Sequence, residues 1–252
     1  MRLFALIGYP LGHSFSERYF TEKFEREGIP DARYELFPLE QISDLPVLLA
    51  KHHDLQGLNV TIPYKEAVLP YLQTLDETAR AAGAVNCILV RDGRLSGYNT
   101  DVYGFEKSLL NWQTAEGRRI NKEGHALILG TGGASKAVAY VLKKLGIDFQ
   151  FVSRSPSGHN QIEYAKIPFI INHSSFIINT TPLGMAPHTD QCPDLPYHQL
   201  GPQHFVYDLI YNPTETLLLC RAKAQGCAIQ NGLAMLHLQA EKSWEIWNVY
   251  PS

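Results

Sequence analysis

Apolar residues in this chain fall into two patterns: short unbroken blocks, and stretches in which they return at helical spacing. Residues 3–7 are the first block and predict a strand. Residues 16–28 carry Tyr19, Phe20 and Phe24 on one face and predict a helix, with Ser16 as a good N-cap. A strand over 34–39, a helix over 41–53 and a strand over 58–62 follow, the last halted by Pro63. Tyr64, Lys65 and Glu66 open the next helix. Residues 79–83 lead into a strand over 84–90, Asp92 and Gly93 form a hairpin turn, and 95–98 return. A helix through Phe105, Leu109 and Leu110 comes next, with Thr100 or Asp101 as its N-cap.

After a polar, glycine-flanked approach at 111–124 the blocks become sharper. Residues 126–129 read as a buried parallel strand, and Gly130, Gly132 and Gly133 as a tight turn. Ala134, Val138, Val141, Leu142 and Leu145 then recur at helical spacing, and Gly146 closes that helix as a left-handed cap. A strand over 148–153 and a loop over 156–160 leave little room for a helix before the strand at 176–179. The proline-rich stretch 187–202 reads as irregular surface, 204–209 as a strand, and 214–226 as a helix closed by Gly226. The last helix begins near Asn231 and Gly232 and carries Leu233, Leu236, Leu238, Ala240 and Trp244. Strands alternating with helices in both halves predict an α/β protein.

Composition narrows the class. The chain has 252 residues, enough for two modest domains, and 45% hydrophobic content, enough for a sizeable core. A net charge of -3 argues against nucleic acid or an anionic membrane as main partners. No apolar run approaches the roughly 20 residues of a membrane helix. The N-terminal block runs straight into a glycine loop without a cleavage pattern, so it reads as a first strand rather than a signal segment. Cys87, Cys192, Cys220 and Cys227 show neither metal spacing nor a disulfide framework, which fits a reducing cytoplasm.

Chemistry concentrates where strands end. Strand, glycine turn and helix at 126–146 form the phosphate-binding element of a dinucleotide fold: glycines admit backbone N–H groups to a pyrophosphate, and the helix start adds partial positive charge. Lys136-Ala137 rules out a P-loop, and Ser135 replaces the third fingerprint glycine, so an ordinary strand-to-helix turn competes on this motif alone. The next strand ends in Ser153-Arg154-Ser155. A site for NAD would carry a carboxylate there; an arginine and two hydroxyls would instead bind a 2′-phosphate, favouring NADP over the alternative of a solvated arginine. Ser14 and Ser16 converge on a helix start, which suits a carboxylate ligand. Lys65, taken by itself, reads as solvated. Thr180 opens a polar loop after a strand end, a usual place for ligand contacts.

These segments, in order, resemble one family. Gly8-Tyr-Pro-Leu-Gly-His-Ser-Phe-Ser16, Asn59-Val-Thr-Ile-Pro-Tyr-Lys65, Gly83-Ala-Val-Asn86, Asn99-Thr-Asp101, Gly130-Thr-Gly-Gly-Ala-Ser135, Asn179-Thr-Thr-Pro-Leu-Gly-Met185, Asp208-Leu-Ile-Tyr-Asn-Pro213 and the run from Gly232 to Gln239 are similar to the signature series of shikimate dehydrogenases. The motifs span nearly the whole chain. The resemblance implies an N-terminal α/β substrate domain, residues 1–101, completed by a C-terminal helix, 233–252, that packs back on it. It implies a Rossmann-type NADP domain over 102–232, with the site in the cleft between the two.

By the same resemblance Ser14 and Ser16 would bind the substrate carboxylate, and Thr61, Asn86, Asp101, Tyr211 and Gln239 the ring hydroxyls or the region of the reacting carbonyl. Lys65 and Asp101 would be the catalytic pair. Gly130, Thr131, Gly132, Gly133, Ala134, Ser135, Ser153, Arg154, Ser155, Thr180, Leu209 and Gly232 would line the cofactor, and Glu77 falls where the family sometimes touches it. The implied reaction is reversible NADPH-dependent reduction of 3-dehydroshikimate to shikimate, in aromatic amino acid biosynthesis. A small-molecule substrate is thus the expected partner, with no nucleic acid, membrane or metal, and the chain a monomer or homodimer.

Three departures stand out. The family usually has Pro after the second serine and His-Asn shortly after, where this chain has Glu17 and Tyr19-Phe20. A second basic residue usually follows the Arg154 position; Pro156, Ser157 and Gly158 supply none, and His159 is the candidate substitute. The short segment after Ser155 implies a trimmed cofactor domain. The rival readings are a quinate/shikimate dehydrogenase using NAD, disfavoured by Arg154, and a non-catalytic NADP sensor, disfavoured by the presence of Lys65 and Asp101.

Overall fold

The strand β1, Arg2–Gly8, reads as a continuous apolar block because both of its faces are covered. In the computed structural model, which describes residues 1–12, 14–117, 124–158 and 160–248, its side chains alternate between two cores. Leu3, Ala5 and Ile7 pack with Leu45, Leu58, Val60, Val68 and Ile88 on one side. Phe4 and Leu6 pack with Phe20, Phe24, Tyr34 and Trp247 on the other.

The chain divides into two compact units, residues 1–100 with 240–252, and residues 101–239. The first unit holds a six-stranded sheet. Besides β1 it contains β2 (Ala32–Pro38), β3 (Leu55–Val60), β4 (Thr74–Leu75), β5 (Cys87–Arg91) and β6 (Arg94–Tyr98), in the order β2-β1-β3-β5-β6-β4. β1 is parallel to β2 and β3, and β5 runs antiparallel to β3 and β6. The β5–β6 hairpin turns on Asp92 and Gly93, both at positive φ. Helices α2 (Leu45–Lys51), α3 (Tyr64–Ala67) and α4 (Glu77–Ala82) cover the first core through Leu48, Tyr64 and Ala79.

Helix α1 (Phe15–Arg26) covers the second core, joined by residues 240–247 of the last helix. Gly57 in β3 is there because the Trp247 indole lies flat against its α-carbon, where any β-carbon would collide. The same indole donates to the Ile88 carbonyl at 3.0 Å. The C-terminal helix therefore packs on the first unit, as the resemblance implied.

The second unit contains β7 (His125–Leu129), β8 (Phe149–Ser153), β9 (Gln161–Glu163), β10 (Ser174–Asn179), β11 (Phe205–Asp208) and β12 (Ala228–Gln230). Every ladder is parallel, in the order β12-β11-β10-β7-β8-β9. The chain leaves β7 in one direction and returns to β10 on its other side, which makes the β7–β10 boundary the topological switch point of a doubly wound sheet. The crossovers use α6 (Gly133–Leu145), the four-residue α7 (Ile167–Ile170) and α8 (Leu217–Ala224). Helices α5 (Thr100–Glu116) and α9 (Leu233–Trp247) complete the chain, each spanning a boundary between the units.

Several expectations need correction. Ser14, not Ser16, caps α1: its hydroxyl accepts from the Ser16 amide at 3.2 Å. The expected helix over 41–53 is a 3-10 turn at Ile42–Asp44 followed by α2. β3 stops at Val60, leaving Thr61 in the loop beyond it. The short strands β4, β9 and β12 were not foreseen. The proline-rich stretch 187–202 is irregular apart from a 3-10 turn at Tyr197–Gln199, yet Leu195 and Leu200 enter the core of the second sheet, so it is no mere surface. Among the described residues the β8–β9 connection contains no helix, and the stretch before β10, where little room for a helix was expected, holds the four-residue α7 between two 3-10 turns.

Candidate active site

In the first unit the polar motifs gather at one edge of the sheet. Residues 9–12, Ser14 and the start of α1 follow β1, Thr61 and Lys65 follow β3, and Asn99 and Thr100 follow β6. Asn86 immediately precedes β5, and because Cys87 is registered opposite Asn59, Asn86 lies at that same edge. Backbone hydrogen bonds stitch these segments together: Thr61 N–H to Ile7 at 2.9 Å, Tyr9 N–H to Ile62 at 3.1 Å, and Val85 N–H to the Lys65 carbonyl at 2.7 Å. Gly8 permits this closeness, since a β-carbon there would run into the Thr61 methyl group.

Ser14 caps α1 through an acceptor lone pair, so its hydroxyl proton remains for a ligand. Ser16 is half-buried in the first turn of α1. Lys65 is half-buried on α3, within the first turn. The Asn86 amide is buried and oriented at both ends by Thr100, its Oδ1 accepting from the backbone N–H at 2.7 Å and its Nδ2 donating to Oγ1 at 3.0 Å. The departures at Tyr19 and Phe20 have a packing cause. Phe20 is fully buried and stacks on Tyr34, while the Tyr19 hydroxyl donates to Glu241, which also receives the buried Lys23 ammonium at 2.8 Å. Burial, followed by the Glu241 carboxylate, raises the Tyr19 pKa, so this hydroxyl stays protonated and acts as a strut.

In the second unit the corresponding residues lie where strands of the parallel sheet end. Gly130 follows β7 at φ 104, and a β-carbon there would sit 2.8 Å from Thr180 Oγ1. Thr180 in turn donates its hydroxyl to the Leu129 carbonyl at 2.7 Å, tying the β10 exit to the β7 exit across the switch point. Thr131 and Gly132 are exposed, and α6 starts at Gly133 without a side-chain cap, with Ala134 and Ser135 in its first turn. Ser135 is instead fully buried, its hydroxyl turned back to the Gly132 carbonyl at 2.6 Å. This explains a serine at the third fingerprint position: it closes the turn from inside.

Ser153 ends β8, its Oγ accepting from the Ser155 amide at 3.2 Å, and Arg154 between them is exposed. His159, the candidate second cation, lies outside the described residues. Gly232 packs directly on the Leu209 carbonyl, leaving no room for a side chain, and its N–H donates to Ile210 at 3.0 Å. Tyr211 is half-buried just beyond. Asp101 lies one turn before Gly104 on α5, and Gly104 touches α9 so closely that its β-carbon would be 3.1 Å from that of Gln239. Asp101 and Gln239, both buried, therefore belong to one helix–helix contact.

The sequence reading missed the polar residues that hold these edges. Asn59 is buried in β3, and Asn179 and Asp208 are buried at the ends of β10 and β11. Asp208 accepts from Asn179 Nδ2 at 2.9 Å, from Ile210 N–H at 3.1 Å and from Thr216 Oγ1 at 2.6 Å. Burial nonetheless pushes its carboxyl up to about 6. The available signal was a polar residue inside an apolar block, which is costly unless satisfied.

Comparison with known proteins agrees with this layout. Residues 6–88 match the family model described as the shikimate dehydrogenase substrate binding domain. A shikimate dehydrogenase (NADP(+)) of Methanococcus maripaludis is 37% identical over 98% of this chain and 91% of its own. The chain belongs to the shikimate dehydrogenase family. Another member, from Staphylococcus aureus strain Newman, is 37% identical over 97% of this chain and 91% of its own length. Among solved structures, the shikimate 5-dehydrogenase of Thermus thermophilus, in complex with NADP(H) and shikimate, superposes with a TM-score of 0.84 at 32% identity, covering 100% of this chain and 95% of that one. The chain holds an α/β first unit and a doubly wound second unit, and no described helix is long and apolar enough to cross a membrane.

Proposed function

We propose that this protein is an NADP-dependent shikimate dehydrogenase, reducing the ketone of 3-dehydroshikimate to the alcohol of shikimate and running in reverse. Residues 1–101 with the C-terminal helix would bind the substrate, and residues 102–232 the cofactor. The observation that carries the reading is the gathering of Ser14, Ser16, Thr61, Lys65 and Asn86 at one sheet edge in a member of this family. Cys87, Cys192, Cys220 and Cys227 are thiols, which supports a reducing cytoplasmic setting. The chain would act as a monomer or homodimer.

The second unit fits a dinucleotide. The uncapped start of α6 and the exposed Thr131 and Gly132, with nothing within 4 Å of a β-carbon at Gly132, leave peptide groups accessible where a pyrophosphate would approach. Ser153, Arg154 and Ser155 at the end of β8 suit a ribose carrying a 2′-phosphate. NADPH, when bound, supplies the hydride to the carbonyl carbon.

The chain's own residues do the rest. Ser14 and Ser16 donate hydroxyl protons to the substrate carboxylate, and Asn86 and Thr61 hold the ring hydroxyls. As hydride arrives, negative charge develops on the ketone oxygen, and the Lys65 ammonium stabilises it and transfers a proton. Oxidation uses the same lysine as a base. Asp101 would be its catalytic partner, as the family resemblance implies. Tyr211 and Gln239 would contribute further substrate contacts.

The test is the initial rate of NADP reduction with shikimate on purified protein, beside NAD and quinate. Turnover with NADP and shikimate and little with other pairs is expected. Comparable rates with NAD would remove Arg154 as a discriminator, and binding of NADP without turnover of any pair would overturn the enzymatic reading.

A further inference from the structure

A chain of buried hydrogen bonds leads from Tyr34 to the candidate substrate residue Asn86. The Tyr34 hydroxyl donates to Asn59 Oδ1 at 2.8 Å. Asn59 Nδ2 donates to Ser243 Oγ at 3.1 Å and to the Asn86 carbonyl at 3.3 Å. Ser243 Oγ and Thr100 Oγ1 are 3.2 Å apart, and Thr100 receives Asn86 Nδ2. Tyr34, Asn59, Asn86, Thr100 and Ser243 are each no more than 6% exposed. Five elements or their flanks, β2, β3, β5, α5 and α9, thus meet in a single polar thread beside a largely aromatic core.

We infer that Tyr34, Asn59, Thr100 and Ser243 are positioning residues for substrate: they set the orientation of the Asn86 amide. This rests on the substrate-binding roles proposed above. A core lined by Phe4, Phe20 and Trp247 would be satisfied by apolar side chains, so stability alone does not call for four polar groups there. What the thread adds is direction. An amide flipped at Asn59 would set its NH2 against the Tyr34 hydroxyl's proton and its oxygen against the Asn86 carbonyl, so a single orientation satisfies all partners. The Asn86 backbone and side chain are both held by that arrangement. A fully satisfied buried network is rigid, and rigidity is what an amide that must meet a ring hydroxyl from one direction requires. It also makes residues 240–247 of α9 part of the substrate edge without their touching substrate.

The test uses isosteric changes in the full-length protein. Tyr34→Phe keeps the ring stacked on Phe20 and removes one oxygen. Thr100→Val removes the hydroxyl and keeps the shape, whereas Thr100→Ser keeps the hydroxyl. Binding of shikimate and of NADP is measured separately by calorimetry, with steady-state kinetics and melting temperature alongside. Tyr34→Phe and Thr100→Val are expected to weaken shikimate binding by about fivefold or more, the worth of one net buried hydrogen bond. Thr100→Ser should stay within about twofold, NADP binding should hold in all three, and kcat should fall less than shikimate affinity. Unchanged shikimate affinity in both hydroxyl-deleting variants, or equal weakening toward shikimate and NADP, would overturn the inference. Absence of shikimate binding by the unaltered protein would instead overturn the proposed function, and this inference with it.

Discussion

Asn179 Nδ2 donates to Asp208 Oδ1 at 2.9 Å, linking the C-terminal ends of two neighbouring strands, β10 and β11. The same Asn179 uses its Oδ1 to receive the Thr181 amide at 3.0 Å and hydroxyl at 2.7 Å, so one side chain organises the loop after β10. Asp208 passes the constraint on to α8 through Thr216, the helix's N-cap. The floor beneath the glycine turn is thus held by two fully buried polar residues.

A pH dependence follows from Asp208. Burial raises its carboxyl to about 6, above an unfolded value of about 3.9. Between those values the folded state holds more protons than the unfolded state, so this residue's contribution favours folding at low pH and is lost as pH rises through about 6. Asp208→Asn should abolish that component. Urea midpoints of the two proteins measured from pH 4 to 7 check it; parallel curves would show that Asp208 titrates normally.

Lys65→Ala removes the proposed proton donor from a half-buried position on α3 without opening the core. A loss of about 100- to 10,000-fold, mainly in kcat, is expected. Melting temperature and NADP affinity should stay near their original values, and near-normal turnover would sink the assignment.

Cofactor discrimination should be divided between two strand ends. Arg154 follows β8, and Glu163, which ends β9, is registered opposite Ser153 on the adjoining strand. Residues paired in a parallel ladder project to the same face, which sets a carboxylate beside the expected 2′-phosphate position. Arg154→Ala should weaken binding of 2′,5′-ADP and spare 5′-AMP. Glu163→Gln should tighten 2′,5′-ADP by about 1.5- to 5-fold, the range for exposed charge pairs, and lose that effect in high salt. Equal responses to both nucleotides would rule this division out.

Gly232→Ala should destabilise the second unit by at least about 1–3 kcal/mol, because the new methyl group meets the Leu209 main chain, which cannot rotate away. Gly132→Ala is the control, since nothing lies within 4 Å of a β-carbon there. Thermal unfolding of the pair distinguishes them; equal midpoints would mean that the 209–210 segment yields.

The local patterns were legible directly. The strand at β7, the turn at Gly130 and the helix ending at Gly146 each depend on residues within a few positions of one another, and all three form as their spacing predicts. So does the Asp92–Gly93 hairpin, whose positive φ values only a few residue types accept. The capping serine was misplaced by two positions because Ser14 and Ser16 are chemically alike; which of them caps depends on where β1 delivers the chain. β9 and β12 escaped notice because three-residue strands carry no periodicity and exist only by pairing with β8 and β11.

By itself the sequence determined the alternation of strands and helices, the glycine turn, the cation after β8 and the order of polar motifs, because each is written in neighbouring residues. Tertiary structure alone decided which polar groups support them. Asn59 and Ser243 are 184 residues apart and hydrogen-bonded, a pairing that no local pattern encodes. Leu195 and Leu200 look like surface among their prolines until the second sheet supplies a core for them to fill. Hydrogen-bonding potential and hydrophobicity belong to single residues, but satisfaction and burial belong to pairs, and the fold chooses the pairs.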